Sequence, residues 1–339
     1  MKPRIMLMFA ILLLLFVATF MMSIGLGSVK LSPGQVWRAM INPSSPAEPQ
    51  MLIIQKIRFP RVCGAFLCGA ALGVAGLLLQ VFFRNPIVDS FILGISSGAS
   101  LMVGLVMLAG LVIGSGSINS FTVFSAAFGG SVLVMFLVML IAGKIEGQVT
   151  LLIVGMMIGY LCSAVNSILV AFSRKEQISN FVFWSLGSFA GFRQEQIFLL
   201  TVIVIPFLSL AFFISKPLNG LLLGETYARS MGVNVKNCRL MIILISSILS
   251  GAVTAFAGPV SFIGMAVPHI ARLLFRSSDN RYLIPASVII GAIVAGLCDL
   301  AARVISPPVE LPLTAMTSFF GAPIIIYLLL KGASPKCST

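Results

Sequence analysis

Charge is what this sequence has least of. Of its 339 residues only 9% are Asp, Glu, Lys or Arg, against 59% hydrophobic. A globular domain carries about a quarter charged side chains. A soluble chain of this length would need two domains with polar surfaces, and there are too few charges to coat them. Histidine is nearly absent, with His269 alone. The six cysteines, at 63, 68, 162, 238, 298 and 337, form no C-x-x-C pair. Zinc and iron–sulfur ligation therefore lack a donor set, and no metal or other cofactor is expected on this chain. Cys63, Cys68, Cys162 and Cys298 fall inside apolar runs, where a free cysteine is a small packing residue. No G-x-x-x-x-G-K-[ST] sequence occurs, so the chain is no ATP motor. No nucleophile–base pair stands out either, which argues against an intramembrane enzyme.

Long apolar runs are what the sequence does have. The run 5–27, preceded by Lys2 and Arg4, is longer than the apolar core of a signal peptide. It is expected to be a first membrane span. Further runs lie at about 62–83, 91–113, 119–143, 149–172, 197–214, 240–257, 260–275, 282–305 and 312–330. The fold class is therefore all-α, a polytopic membrane domain of about ten transmembrane helices over 1–339. The run 260–275 is short, and Pro259 and Pro268 bracket it, so its backbone must break helical bonding. A polar loop at 28–55 carries turn signals at Ser32-Pro33-Gly34 and Asn42-Pro43, with 35–40 as a short surface helix.

The balance of charge is basic, with 22 Lys+Arg against 9 Asp+Glu. In such a chain the excess reports topology and contact with lipid headgroups. A nucleic-acid face would need a basic cluster interleaved with aromatics, and these bases are scattered. Counting them by side puts 13 on the side of the N-terminus and 9 opposite, so both termini are expected in the cytoplasm. Lys56, Arg58 and Arg61 are the main violators, and basic residues kept on the outer side suggest a task there.

A faint echo links LCGAALGVAG (67–76) to LSGAVTAFAG (249–258). Held at that offset, Pro86 falls opposite Pro268. The two stretches are five spans apart, the arrangement of an inverted-topology repeat, with halves of roughly 1–172 and 190–332. Gly64, Gly69, Ala70, Gly73 and Gly76 give the first copy a small-residue density suited to close helix packing. Asp89, His269, Asp299, Arg303 and Glu310 each lie near the end of a run, where water or headgroups solvate them. Asp299 and Arg303 stand at i,i+4 in the favourable acid-first order and are expected to pair. No span centre carries a clear acidic or basic residue, which counts against an ion-gradient-driven secondary transporter, the alternative from another class.

The largest polar element expected inside the cell is the loop 216–239. Gly220 and Gly224 punctuate it, and 225–231 reads as a short helix stopped by Gly232. Tyr227, Ala228 and Met231 fall on one face of it, suited to a partner protein.

At several points the sequence resembles the FecCD-type permeases of ATP-binding-cassette importers. The matching pieces are RFPR (58–61), GAALGVAG (69–76), Gln80 followed by RNPIVD (84–89), LGISSGA (93–99), GETYARSMGV (224–233), GPVSFIGMAVPHIAR (258–272), ELPLT (310–314) and GAP (321–323). They run in order through nearly the whole chain. The resemblance implies a permease in a bacterial or archaeal plasma membrane that moves iron–siderophore, haem or vitamin B12. It implies a homodimer around a central path and two cytoplasmic subunits that bind ATP and Mg²⁺. A binding protein on the outer side would deliver the substrate. By position, Gly224, Glu225, Ala228, Arg229, Ser230, Met231, Gly232 and Val233 match the family's ATPase-docking element. Arg58, Arg61 and Arg303 match positions that face acidic residues of the binding protein. Gln80, Asn85 and Ser97 are the candidates for lining the path. Around Phe183–Ser188 the family pattern is looser after Ser188.

Overall fold

The computed structural model describes residues 3–27, 34, 52–111, 119–144 and 147–332. The polar loop and short helix expected within 28–51, with Lys30 and Arg38, lie outside the described residues apart from Gly34, as do Lys2, Lys336 and Cys337. The described residues form thirteen α-helices and no strand. In chain order they are α1 (Pro3–Gly25), α2 (Phe59–Phe83), α3 (Ile95–Met107), α4 (Ser120–Ala142), α5 (Gln148–Phe172), α6 (Lys175–Ser185), α7 (Gln194–Phe213), α8 (Ser215–Leu222), α9 (Glu225–Ser230), α10 (Val235–Ala257), α11 (Ile263–Phe275), α12 (Asn280–Val304) and α13 (Leu313–Gly332).

Each of the ten expected runs coincides with one of these helices. Seven are long and apolar enough to cross a membrane. Helices satisfy their own backbone groups, which is the condition for crossing lipid. Two runs are shorter than expected. The run 91–113 contains a helix of only 13 residues, α3, and the run 260–275 one of the same length, α11. Left-handed backbone precedes both, at Gly94 (φ 75°) and Phe262 (φ 68°). Chain breaks of this kind shorten the helix without changing the composition that hydropathy measures. Pro268 sits inside α11, and the interruption comes earlier, between Ala257 and Ile263.

Starts and stops follow from local chemistry. Asn119 caps α4 by accepting from Thr122 N–H at 2.9 Å. Asn234 caps α10 through Asn237 N–H at 3.1 Å, so that helix opens five residues before the expected span. Asp279 caps α12. These are the residue types whose side chains satisfy orphan N–H groups. A π-helical turn, Ile54–Arg58, leads into α2, so the continuous span runs over 30 residues, Ile54–Phe83. Its polar Gln55, Lys56 and Arg58 hid that extension in the sequence.

α2 is the axis of the bundle and is enclosed along nearly its whole length, with α10 and α12 next most buried. The small residues make this enclosure feasible. A Cβ on Gly69 would collide with the carbonyl of Gly291, and one on Gly291 with that of Gly69. Helices α2 and α12 therefore touch backbone to backbone. By contrast α1 and α5 turn most of their side chains outward, including Leu14 and Phe172.

The repeat echo has structural content. Helix α2 packs on α12, and α10 packs on α4, so the second helix of each half crosses the fourth of the other. The crossing of Gly69 with Gly291 has its counterpart in Gly251, whose Cβ would meet Ser131 at 2.8 Å. The expected opposition of Pro86 and Pro268 does not hold. α2 continues to Phe83 while α10 stops at Gly258, so the offset ends with the aligned decapeptide. The two prolines belong instead to one neighbourhood, where the His269 ring lies 3.0 Å from the Pro86 carbonyl through Nε2.

Candidate functional site

The polar corner between α8 and α10 is built on two glycines. Gly224 has φ 124° and ψ 149°, and Gly232 has φ 81°, conformations that a side chain resists. Between them α9 spans Glu225–Ser230, with Met231 as its cap. Ala228 is fully buried and its carbonyl accepts from Val233 N–H at 3.0 Å, which ties the corner down. Ala228 therefore does not share a face with Tyr227 and Met231, as its spacing suggested. It is the inward foot of the helix, while Tyr227 and Met231 are half or more exposed. Leu223 beside them is exposed too. Glu225 reaches back to Arg239 at 2.8 Å and lies 4.0 Å from Arg229. Arg239 in turn sits over the Phe82 ring, 5.7 Å from its centroid. The outer surface is thus an apolar knuckle with the exposed Arg229 and Ser230 at its edge, held on α10 and the end of α2 by charge.

A second cluster joins Arg58, Arg61 and Arg303. Arg61 donates Nε to Asp299 at 2.8 Å, and both Nη atoms to Glu310 at 2.7 and 3.0 Å. Arg303 pairs with the other oxygen of Asp299 at 3.0 Å and donates to the Ser23 carbonyl at 3.0 Å. Arg58 donates to the carbonyls of Ile24 and Gly25 at 2.8 and 3.0 Å. Two guanidiniums thereby hold the C-terminal end of α1, where carbonyls lack helical partners and cations are favoured. The i,i+4 pair of Asp299 and Arg303 is present as expected. The expectation that Asp89, Asp299 and Arg303 are solvated is overturned, because all three are buried by protein. All three arginines are at most 7% exposed, so their charge is spent inside the chain. Among the described residues the exposed charged side chains at this end include Lys56 and Glu310. Hydrogen bonds from Arg61 hold the Glu310 carboxyl below the usual carboxylate range, against the opposing effect of its partial burial.

Gln80, Asn85 and Ser97 are not brought together. Gln80 is buried, donating to the Met265 carbonyl at 3.2 Å and accepting from Arg272 at 2.8 Å. Asn85 is exposed in the turn after α2 and accepts from Ile87 N–H at 3.0 Å. Ser97, on α3, faces Gly159 of α5. Among the described residues no cluster of three or more His, Cys, Asp or Glu side chains is placed to hold a metal ion. No sequence pattern announced Arg239 as the partner of Glu225, nor Arg61 as the partner of Asp299 and Glu310. Their partners lie up to 249 residues away, a pairing that no local spacing announces.

The comparisons with known proteins agree with this architecture. A model of the FecCD transport family matches residues 13–331. The chain is 33% identical to the hemin transport system permease protein HmuU of Yersinia pestis, over 97% of this chain and 96% of that one. It is 37% identical to the vitamin B12 import system permease protein BtuC of Vibrio parahaemolyticus, over 90% of each. A solved inward-facing metal-chelate type ABC transporter superposes with a TM-score of 0.84 at 30% identity, covering 96% of this chain and 99% of that one. PsaBC from Streptococcus pneumoniae, solved with a Fab, matches at a TM-score of 0.55 and 14% identity over 80% of this chain and 94% of that one. That last likeness is one of fold alone. With ten helices in the expected order and a family match that runs nearly from end to end, the chain belongs to the FecCD transport family.

Proposed function

We propose that this chain is the membrane-spanning permease of an ABC importer for a chelated metal, iron–siderophore first, with haem and vitamin B12 as the other substrates. The observation that carries the reading is the family match over residues 13–331, joined by relatives that are haem and vitamin B12 permeases. Two copies surround a central path and alternate between outward- and inward-open states, with candidate lining from Gln80, Asn85 and Ser97. ATP is hydrolysed on separate cytoplasmic subunits docked on the α9 knuckle. Its exposed Tyr227 and Met231, beside Arg229, support that role, because apolar anchors beside a charged rim are what partner surfaces use. The membrane is the bacterial or archaeal plasma membrane, with both termini inside.

The binding protein docks at the opposite end, around Arg58, Arg61 and Arg303. Since these are buried and paired, its acidic side chains reach Arg61 by taking the place of the exposed Glu310. Charge pairs of this kind set register and speed encounter more than they add affinity. The reading is tested by co-expressing the chain with a neighbouring ATPase that carries a phosphate-binding loop. A stable complex is expected, and failure of any such subunit to co-purify would count against it. The substrate is tested by ligand binding to the cognate binding protein.

A further inference from the structure

Where the ends of α2, α8, α11 and α12 meet, a cleft of about 240 Å³ opens, far more than the roughly 30 Å³ a single water takes in the liquid. Its lining includes Arg84, Arg272, Ser278 and Asn280, with Leu222 and Leu283 beside them, and Arg84 also borders a smaller neighbouring pocket that Glu225 lines. No carboxylate lines it. Among the described residues neither guanidinium has a salt-bridge partner. Arg84 gives one hydrogen bond, to the Leu221 carbonyl at 2.9 Å, and Arg272 one, to Gln80 at 2.8 Å. A guanidinium offers five donors, so each fork has capacity for an anion.

Asn280 supplies an independent observation. It is fully buried, and its Oδ1 has no hydrogen-bond partner among the described residues. The orientation of its amide is set by a chain of bonds. Asp279 Oδ1 accepts from Asn219 Nδ2 at 2.7 Å, and Asn219 Oδ1 accepts from the Asn280 side-chain and backbone N–H groups, both at 2.9 Å. An ionised carboxylate cannot donate, so neither amide can be reversed. The orphan atom is an acceptor, and leaving a buried acceptor unpaired is costly. A ligand suited to this cleft therefore brings a donor beside its negative charge.

We propose that the cleft binds the phosphate of a phospholipid headgroup, with Arg84 and Arg272 on the phosphate oxygens and Asn280 accepting from the headgroup's hydroxyl or ammonium. The position favours lipid. Arg84 directly follows the apolar α2, and Asn280 opens the apolar α12, the depth at which a bilayer's headgroups lie. Leu222, which is exposed, offers an apolar surface to the first carbons of the chains. Free phosphate shares the anion chemistry and is the other source. Phosphatidylcholine carries the same phosphate but no donor, so the orphan acceptor discriminates against it.

The test uses the full chain, delipidated in detergent and incubated with phosphatidylglycerol, phosphatidylethanolamine and phosphatidylcholine in equal amounts. Lipid retained after gel filtration is measured by mass spectrometry. Phosphatidylglycerol and phosphatidylethanolamine should be retained over phosphatidylcholine. Phosphatidylglycerol retention should fall roughly thirtyfold in Arg84→Gln/Arg272→Gln, about fivefold per arginine. Ser278→Asp, at an exposed position, places a carboxylate on the rim without removing a buried group. It should lower retention with an unchanged circular dichroism spectrum. If excess inorganic phosphate stabilises the chain and no lipid is retained, the phosphate comes from solution and the lipid assignment fails. Equal retention of phosphatidylglycerol by the wild type and both variants overturns the site altogether.

Discussion

Asp299 holds two arginines in one buried cluster, with Arg61 at 2.8 Å and Arg303 at 3.0 Å. Removing one partner of a buried ion pair leaves an uncompensated charge, at a cost of about 3–5 kcal/mol. Asp299→Asn is therefore expected to destabilise the chain by that amount in denaturant unfolding in detergent, and a change below about 1 kcal/mol would contradict the pairing. Glu310 carries a pH dependence of definite sign. Because its folded carboxyl titrates below the ordinary value, its contribution is complete above about pH 4.3 and disappears as the pH falls through the folded value. The thermal midpoint of the wild type should drop on acidification below that point by more than that of Glu310→Gln. Parallel curves for the two proteins would show that the Arg61 contact contributes nothing. The i,i+4 relation of Asp299 to Arg303 was legible in the sequence because both stand on one helix. Arg61 was not legible as a second partner of Asp299, since it approaches from a different helix 238 residues away.

Among the elements, helices were the easiest to read. A membrane span must be apolar over about 20 residues, so composition alone marks where most of them lie. What composition does not mark is a break in an apolar run, and this is why α3 and α11 came out shorter than their runs. Nor does it mark which side of a short helix turns inward, as Ala228 of α9 shows. The close crossing of α2 and α12 predicts an ordered response to substitution. Gly69→Val should cost about 1–3 kcal/mol or more by overpacking, because its Cβ meets the Gly291 backbone. Gly129→Ala on α4 has nothing within 4 Å and should be neutral or slightly stabilising. Comparable losses in thermal unfolding for the two would refute the crossing. For the α9 knuckle, Tyr227→Asp with Met231→Asp should weaken ATPase association at least tenfold, about 1.4 kcal/mol, and leave the unfolding midpoint of the isolated chain unchanged. Undiminished association would remove α9 from the docking surface.

At the scale of the whole molecule, the family was legible because its motifs recur in order from Arg58 to Pro323. The sequence echo rests on one decapeptide rich in small residues, the type that close helix crossings accommodate. The structure extends that echo to the pairing of α2 with α12 and of α10 with α4. It also withdraws the correspondence of the two prolines. A polytopic helical chain with an exposed apolar corner at α9 and a buried charge cluster fits a permease whose energy comes from a partner. Substrate uptake into proteoliposomes tests this most directly, with the chain assembled beside its ATPase and binding protein. Accumulation of a chelated-metal substrate is expected with ATP supplied to the subunits and every ion gradient collapsed. Uptake that persists without ATP and stops when the ion gradient is removed would contradict it.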